Sequence, residues 1–159
     1  MNAQRLDRIL TCYRIGDPDG AFAIFDAEGS RQAPGRWNGP DTPVIYASEH
    51  YSTAMLEKLV HGNGRLPPNQ HFVEIAIPSG LSYEVVTKDS LPGWQNEDQR
   101  ISRSFGERWV RERRSVVLLT PSFVARLETN VVINPGHREF KKIRAGLHIP
   151  VWWDARLFE

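Results

Sequence analysis

Arg36 stands in a polar, glycine-bearing run, Gly35-Arg36-Trp37-Asn38. A guanidinium there either presents paired, permanently charged donors to a phosphate or carboxylate, or simply projects into solvent. Arg14, in an earlier apolar stretch, has the same two readings. Glu57 falls on the flank of an apolar helical stripe. A carboxylate in that place is a solvated surface charge, or it faces a cleft where desolvation strengthens its field. Tyr46, within Val44-Ile45-Tyr46-Ala47, is a core ring or a stacking surface with a hydroxyl at its tip. Ser122 follows Pro121, and Asn134 precedes Pro135. Both are common turn formers that also suit hydrogen bonding to a ligand.

Other chemistries lack their residues. The sequence holds no GxxxxGK[ST] or GxGxxG phosphate loop, no HExxH metal helix and no GxSxG nucleophile elbow. The five histidines show no metal-ligand spacing, and Cys12 is the only cysteine, so no metal site is expected. Twenty basic against 19 acidic residues leave a net charge of +1, which gives no overall footprint for nucleic acid or an anionic membrane. No apolar run approaches the roughly 20 residues of a membrane span, and the segment Met1 to Arg8 lacks a signal peptide's apolar stretch. With one cysteine, a soluble protein in the reducing cytoplasm is the expectation.

A chain of 159 residues suits one domain, 1–159, with about two thirds of its unfolded surface buried on folding. Strands are predicted at Leu10 to Ile15, Val44 to Ala47, His71 to Ile77, Leu81 to Thr87 (a weaker case), Ser115 to Leu119 and Val131 to Ile133, with a last apolar segment at Ile149 to Trp153. A helix is predicted from about His50 to His61, capped by Ser48 and striped by Tyr51, Met55 and Leu59. A second runs from Glu97 to Arg114, burying Ile101, Phe105 and Trp109. Arg100, Arg103, Glu107, Arg111 and Arg114 share its other face, read first as solvated and second as a surface for an acidic partner. The stretch Gly16 to Pro43, rich in Gly, Pro, Asp and Ser, reads mainly as loop. Short strands with two or three helices place the chain in the α+β class.

Taken in order, Gly35-Arg36-Trp37-Asn38, Val44-Ile45-Tyr46-Ala47-Ser48, Ala54-Met55-Leu56-Glu57, Pro121-Ser122, Asn130 and Asn134-Pro135 resemble the RES domain. The likeness runs from Tyr13-Arg14 to the Asn-Pro-Gly-His turn. It implies a single domain similar to diphtheria-toxin-like ADP-ribosyltransferases and a toxin restrained by an Xre-type antitoxin, with which it would form an oligomer. The implied substrate is NAD+, cleaved at the nicotinamide–ribose bond without a metal. ADP-ribose would pass to a cellular protein, or to water or phosphate in an NAD+-depleting enzyme.

Under this resemblance Arg36, with Arg14 second, binds the pyrophosphate, and Tyr46 stacks on nicotinamide. Glu57 stabilises the oxocarbenium-like ribose, Ser122 orients substrate or glutamate, and Asn134 faces the ligand. Trp37 and Trp94 are candidate pocket walls, though packing is the commoner use of tryptophan. Two other classes remain: a nucleic-acid-binding module using the arginine-rich helix, which the near-neutral charge disfavours, and an interaction module whose motif residues serve structure.

Overall fold

Period-two alternation builds the strands. In His71–Ile77, Val73, Ile75 and Ile77 are buried while Glu74 and Ala76 face outward. The computed structural model describes residues 3–158; Met1, Asn2 and Glu159, the ends of the expected domain, lie outside the described residues. The elements are β1 (Gln4–Arg5), β2 (Leu10–Gly16), α1 (Glu28–Gln32), β3 (Ile45–Ser48), α2 (Tyr51–His61), β4 (His71–Ile77) and β5 (Ser82–Val85). They continue with α3 (Arg100–Glu112), β6 (Val117–Pro121), β7 (Thr129–Ile133), β8 (Arg144–Ala145) and β9 (Ile149–Pro150). The strands form one mixed sheet in the order β1-β5-β6-β7-β3-β2-β4-β8, with β9 also on β4. β5 and β6 run parallel and the other pairs antiparallel.

The sheet separates two apolar clusters. Ile45, Ala47, Val117, Val131 and Ile133 join Cys12 and Ile75 in one. Leu118 and Val132, pointing the other way, join Trp37, Trp94 and Trp109, with Tyr46 packed against them. The structure is a single mixed α and β domain built on one mixed sheet, in keeping with the expected α+β class. No helix among the described residues is long and apolar enough to cross a membrane.

Several boundaries differ from expectation for physical reasons. Gly16 to Pro43 is not all loop. It contains α1, whose Ser30 Oγ donates to the Val44 carbonyl and accepts from the Val44 N–H, tying the segment to β3. Ser48 does not cap α2: it ends β3, and His50 occupies the cap position. The α3 helix starts at Arg100, after Gln99 in a left-handed conformation. Its buried line is Ser102, Gly106 and Trp109, while Ile101 stays 39% exposed. The helix is rotated because Gly106 has no side chain: a Cβ there would collide with the Trp37 carbonyl. Arg103 and Arg114 leave the expected solvated face, binding the Gly35 carbonyl and Glu84 respectively. In the tail only Ile149–Pro150 pairs with the sheet, and Trp152 is 78% exposed.

Glu139 clamps the edge of the sheet. It accepts from the Ser82 backbone and hydroxyl at the start of β5 and from Arg5 on β1. Burial alone would raise its pKa, but the Ser82 and Arg5 donors bring it from 4.5 down to about 2. A depressed carboxylate contributes stability above its unfolded pKa and loses it as pH falls through the folded one. Unfolding free energy should therefore decline between about pH 4.5 and 2, and Glu139→Gln should flatten that decline in urea titrations run across the window.

Candidate active site

Register places the polar row of this site. Ser48 on β3 lies opposite Asn130 on β7, and Asn130 lies opposite Thr120 on β6. Two residues along, Tyr46, Val132 and Leu118 form the matching apolar row on the same face. α2 starts immediately after β3, and its second turn returns Glu57 to the polar row.

One oxygen of Glu57 is fully committed. Its Oε1 accepts from the Ser122 hydroxyl at 2.8 Å and from the Asn130 amide at 3.1 Å. Asn130 is itself oriented by Ser48, whose hydroxyl donates to Asn130 Oδ1 at 2.8 Å. The carboxylate can only accept, so it takes Nδ2, and the Ser48 hydroxyl is left to donate to Oδ1. Ser122, wholly buried, also accepts the Ala125 N–H, so the turn after β6 closes on the same hydroxyl. Glu57 Oε2 has no hydrogen-bond partner among the described residues. The carboxylate is thus aimed by neutral donors that leave its charge in place.

Arg36 approaches from the loop. Its Nη1 donates to the carbonyls of Trp94, at 2.9 Å, and Asn96, at 3.0 Å, while its guanidinium carbon lies 4.2 Å from the centre of the Phe123 ring. Desolvation, then the neighbouring charge of Arg126, lower its pKa, while Glu57 and Tyr46 act in the opposite sense. Arg36 lies on Phe123, the residue after the Ser122 that holds Glu57, and among the described residues no ion pair joins Arg36 to Glu57. Nε and Nη2 of Arg36 carry no protein acceptor among the described residues, which leaves a cationic edge free for an anion.

Tyr46 meets this group in a different role from the one expected. Its hydroxyl accepts the Trp37 N–H at 3.0 Å and donates to Asn38 Oδ1 at 2.7 Å, so it has no free proton for a ligand. Burial raises its pKa further above the ordinary phenol value. The ring packs so tightly under Gly35 that a Cβ there would come within 2.8 Å of it. Tyr46 supports the arginine loop from beneath.

Arg14 spends Nε on the Ile24 carbonyl, at 2.6 Å, and Nη1 on the Tyr46 carbonyl, at 2.8 Å. It braces β3 against the loop entry, and burial lowers its pKa. Asn134 is not brought to the site. It follows the far end of β7, is 1% exposed, accepts from Gly136 N–H and donates to the Val110 carbonyl. The sequence feature of Asn before Pro-Gly marked a turn. Trp37 and Trp94 are 3% and 2% exposed, core residues rather than pocket walls, although Trp94 lends its carbonyl to Arg36.

Of the positioning residues, sequence reasoning left Asn130 without a role and read Ser48 as a helix cap. Each belongs to a motif block, but only the β3–β7 register reveals that they touch. Among the described residues no group of three or more His, Cys, Asp or Glu is placed to hold a metal ion. An open groove of about 680 Å3 runs beside α3, lined by Asn96, Arg100, Ile101, Ser104 and Phe105 among others. Neither Arg36, Glu57 nor Ser122 lines it.

Comparison with known proteins agrees with the motif reading. Residues 11–154 match the RES domain. The chain is 42% identical over 138 residues to a Prs ADP-ribosylating toxin of Sphingobium sp. (strain YBL2), covering 84% of this chain and 81% of that protein. It is 28% identical to a Toxin Res of Photorhabdus laumondii over 82% of this chain and 85% of that one. It is 29% identical to a Toxin Res of Pseudomonas putida over 87% and 95% respectively. Among solved structures, a chain in the crystal structure of the M. tuberculosis MbcT–MbcA toxin–antitoxin complex shares the fold at a TM-score of 0.68 and 15% identity, covering 92% of this chain and 86% of that one.

The supporting role of Tyr46 has a measurable signature. Tyr46→Phe removes the bridge between Trp37 N–H and Asn38 Oδ1, leaving the Trp37 N–H without its partner while Asn38 Oδ1 keeps the Gly35 N–H. It should lower unfolding free energy by about 1–3 kcal/mol. Chemical denaturation reads this directly, and unchanged stability would mean that the hydroxyl is not the loop's support.

Proposed function

The chain belongs to the RES domain family, and from that premise we propose that it is the toxin of a toxin–antitoxin pair. It breaks the nicotinamide–ribose bond of NAD+ and transfers ADP-ribose to a cellular protein. The observation that carries this reading is the geometry of Glu57: Oε1 held by Ser122 and Asn130, Oε2 free, and Arg36 nearby but unpaired with it.

The chemistry asks for little more. When the C–N bond breaks, its electron pair leaves with the nicotinamide nitrogen, which is already cationic in NAD+ and becomes neutral. No strong general acid is needed, while positive charge grows on the ribose. Glu57 stabilises that charge through its unneutralised carboxylate and takes a hydrogen bond from a ribose hydroxyl at Oε2. Ser122 and Asn130 hold the carboxylate so that it does not reorganise during the reaction. Arg36 takes the diphosphate on its free Nε–Nη2 edge. Tyr46 and Arg14 keep the loop that carries Arg36 in register with β3. The acceptor's nucleophile then bonds to the ribose carbon and gives up its proton.

Transfer to a protein is favoured by the 42% identical relative named as an ADP-ribosylating toxin, and the acceptor in that name, Prs, is the first to assay. Water or phosphate as acceptor is the competing outcome. The family's link to diphtheria-toxin-like ADP-ribosyltransferases and a cytoplasmic site of action belong to the same proposal. So does an Xre-type antitoxin that covers or distorts the cleft, in keeping with the toxin–antitoxin complex that shares this fold.

Purified protein incubated with NAD+ and cell extract should release nicotinamide, without a requirement for divalent metal, and label a discrete protein band. NAD+ loss with no labelled protein would replace transfer by hydrolysis or phosphorolysis; no nicotinamide release at all would remove the reading. Glu57→Gln should cut turnover on the order of 10²-fold or more with a modest change in KM, whereas Arg36→Ala should raise KM as well.

A further inference from the structure

Arg126 is the second guanidinium at this site, and no role has been given to it. Its guanidinium carbon lies 4.5 Å from the centre of the Phe123 ring, the ring that also carries Arg36 at 4.2 Å, and 5.8 Å from Trp94. The charges repel: Arg126 lowers the pKa of Arg36. Arg5, Arg111, Arg114 and Arg156 each close an ion pair with a carboxylate. Among the described residues Arg36 and Arg126 do not. Two like charges gathered on one aromatic ring, with no carboxylate between them, make a place where an anion relieves the repulsion.

The donors are also free. Arg126 uses only Nε, on the Phe123 carbonyl at 3.2 Å, so both terminal nitrogens are open. Arg36 keeps Nε and Nη2. Phe123 and Arg126 stand on the turn after β6, which is locked by Ser122 N–H to the Glu128 carbonyl, Glu128 N–H to the Ala125 carbonyl and Ala125 N–H to Ser122 Oγ. That same Oγ aims Glu57. The turn therefore sets the position of Arg126, and of the ring on which Arg36 lies, relative to the carboxylate.

We propose that Arg126 and Arg36 form a two-armed clamp for the diphosphate of a dinucleotide, built on the shared Phe123 ring. The inference rests on the NAD+ reading and adds to it the residue that selects for a diphosphate. In NAD+ the diphosphate lies one ribose away from the scissile bond. A carboxylate for that ribose and a clamp for that diphosphate must be held at a fixed separation, and the Ser122–Glu128 turn holds them so.

The test is binding of ADP-ribose and of inorganic pyrophosphate to the full-length protein by calorimetry, beside nicotinamide-release kinetics. Arg126→Ala should weaken ADP-ribose about tenfold and raise KM for NAD+ to a similar extent, with kcat kept within about threefold. R126K, which keeps charge but not the fork, should recover part of the loss, and R126E should exceed it. Arg126 is exposed, so these variants should unfold at the wild-type temperature. ADP-ribose affinity within twofold of wild type in both R126A and R126E overturns the clamp, as does a fall in kcat at constant KM. Wild-type protein that binds neither pyrophosphate nor ADP-ribose overturns it too. Arg126-dependent binding in a protein that releases no nicotinamide would instead retire the NAD+-cleavage reading and leave the clamp standing.

Discussion

A carboxylate and a guanidinium within electrostatic reach attract, and in this site they are kept from meeting. Glu57 is held back by Ser122 and Asn130, and Arg36 by the carbonyls of Trp94 and Asn96. Each charge is satisfied by neutral groups, so each keeps a free edge. Had the two closed on one another, the field of Glu57 would be spent and the free edge of Arg36 covered. Ion pairs elsewhere in the molecule, such as Arg114 with the buried Glu84, show the usual outcome when nothing intervenes.

Holding Arg36 back requires a rigid loop, although its composition is that of a mobile one. Asn38, wholly buried, binds Gly35, Ser30, Gly39 and the Tyr46 hydroxyl, which gives the turn its shape. Arg103 from α3 takes the Gly35 carbonyl from the other side. The helix reaches that position because Gly106 lets its backbone close on Trp37. Backbone polar groups that a loop would leave to water are thus satisfied internally, so the segment needs no regular structure to be ordered.

The parts of the fold written in local patterns were legible from the sequence. Val73, Ile75 and Ile77 declare a strand by alternation, and Tyr51, Met55 and Leu59 declare a helix by their spacing. Short edge strands such as Arg144–Ala145 carry too few residues for a period and are made by their neighbours. The face of α3 differs from expectation because apolar residues usually mark the buried side, whereas close approach to Trp37 requires Gly106 there, with Ser102 on the same buried line. At the site, the residue types of Arg36, Glu57 and Ser122 were legible through the family motif, and the structure brings those three together. Asn130 and Asn134 are indistinguishable as amides. Pairing of β3 with β7 puts one beside Glu57 and leaves the other in a turn at the far end.

On the proposed reading NAD+ sits between Arg36, Arg126 and Glu57, and not in the groove beside α3. A crystal structure of the E57Q variant with NAD+ tests that most directly, since slowed turnover preserves the bound dinucleotide. The account predicts the diphosphate against Arg36, with the nicotinamide ribose at the position-57 side chain and Ser122 and Asn130 still bound to it. A dinucleotide lying along Arg100, Ser104 and Phe105, with the Glu57 region empty, would contradict it.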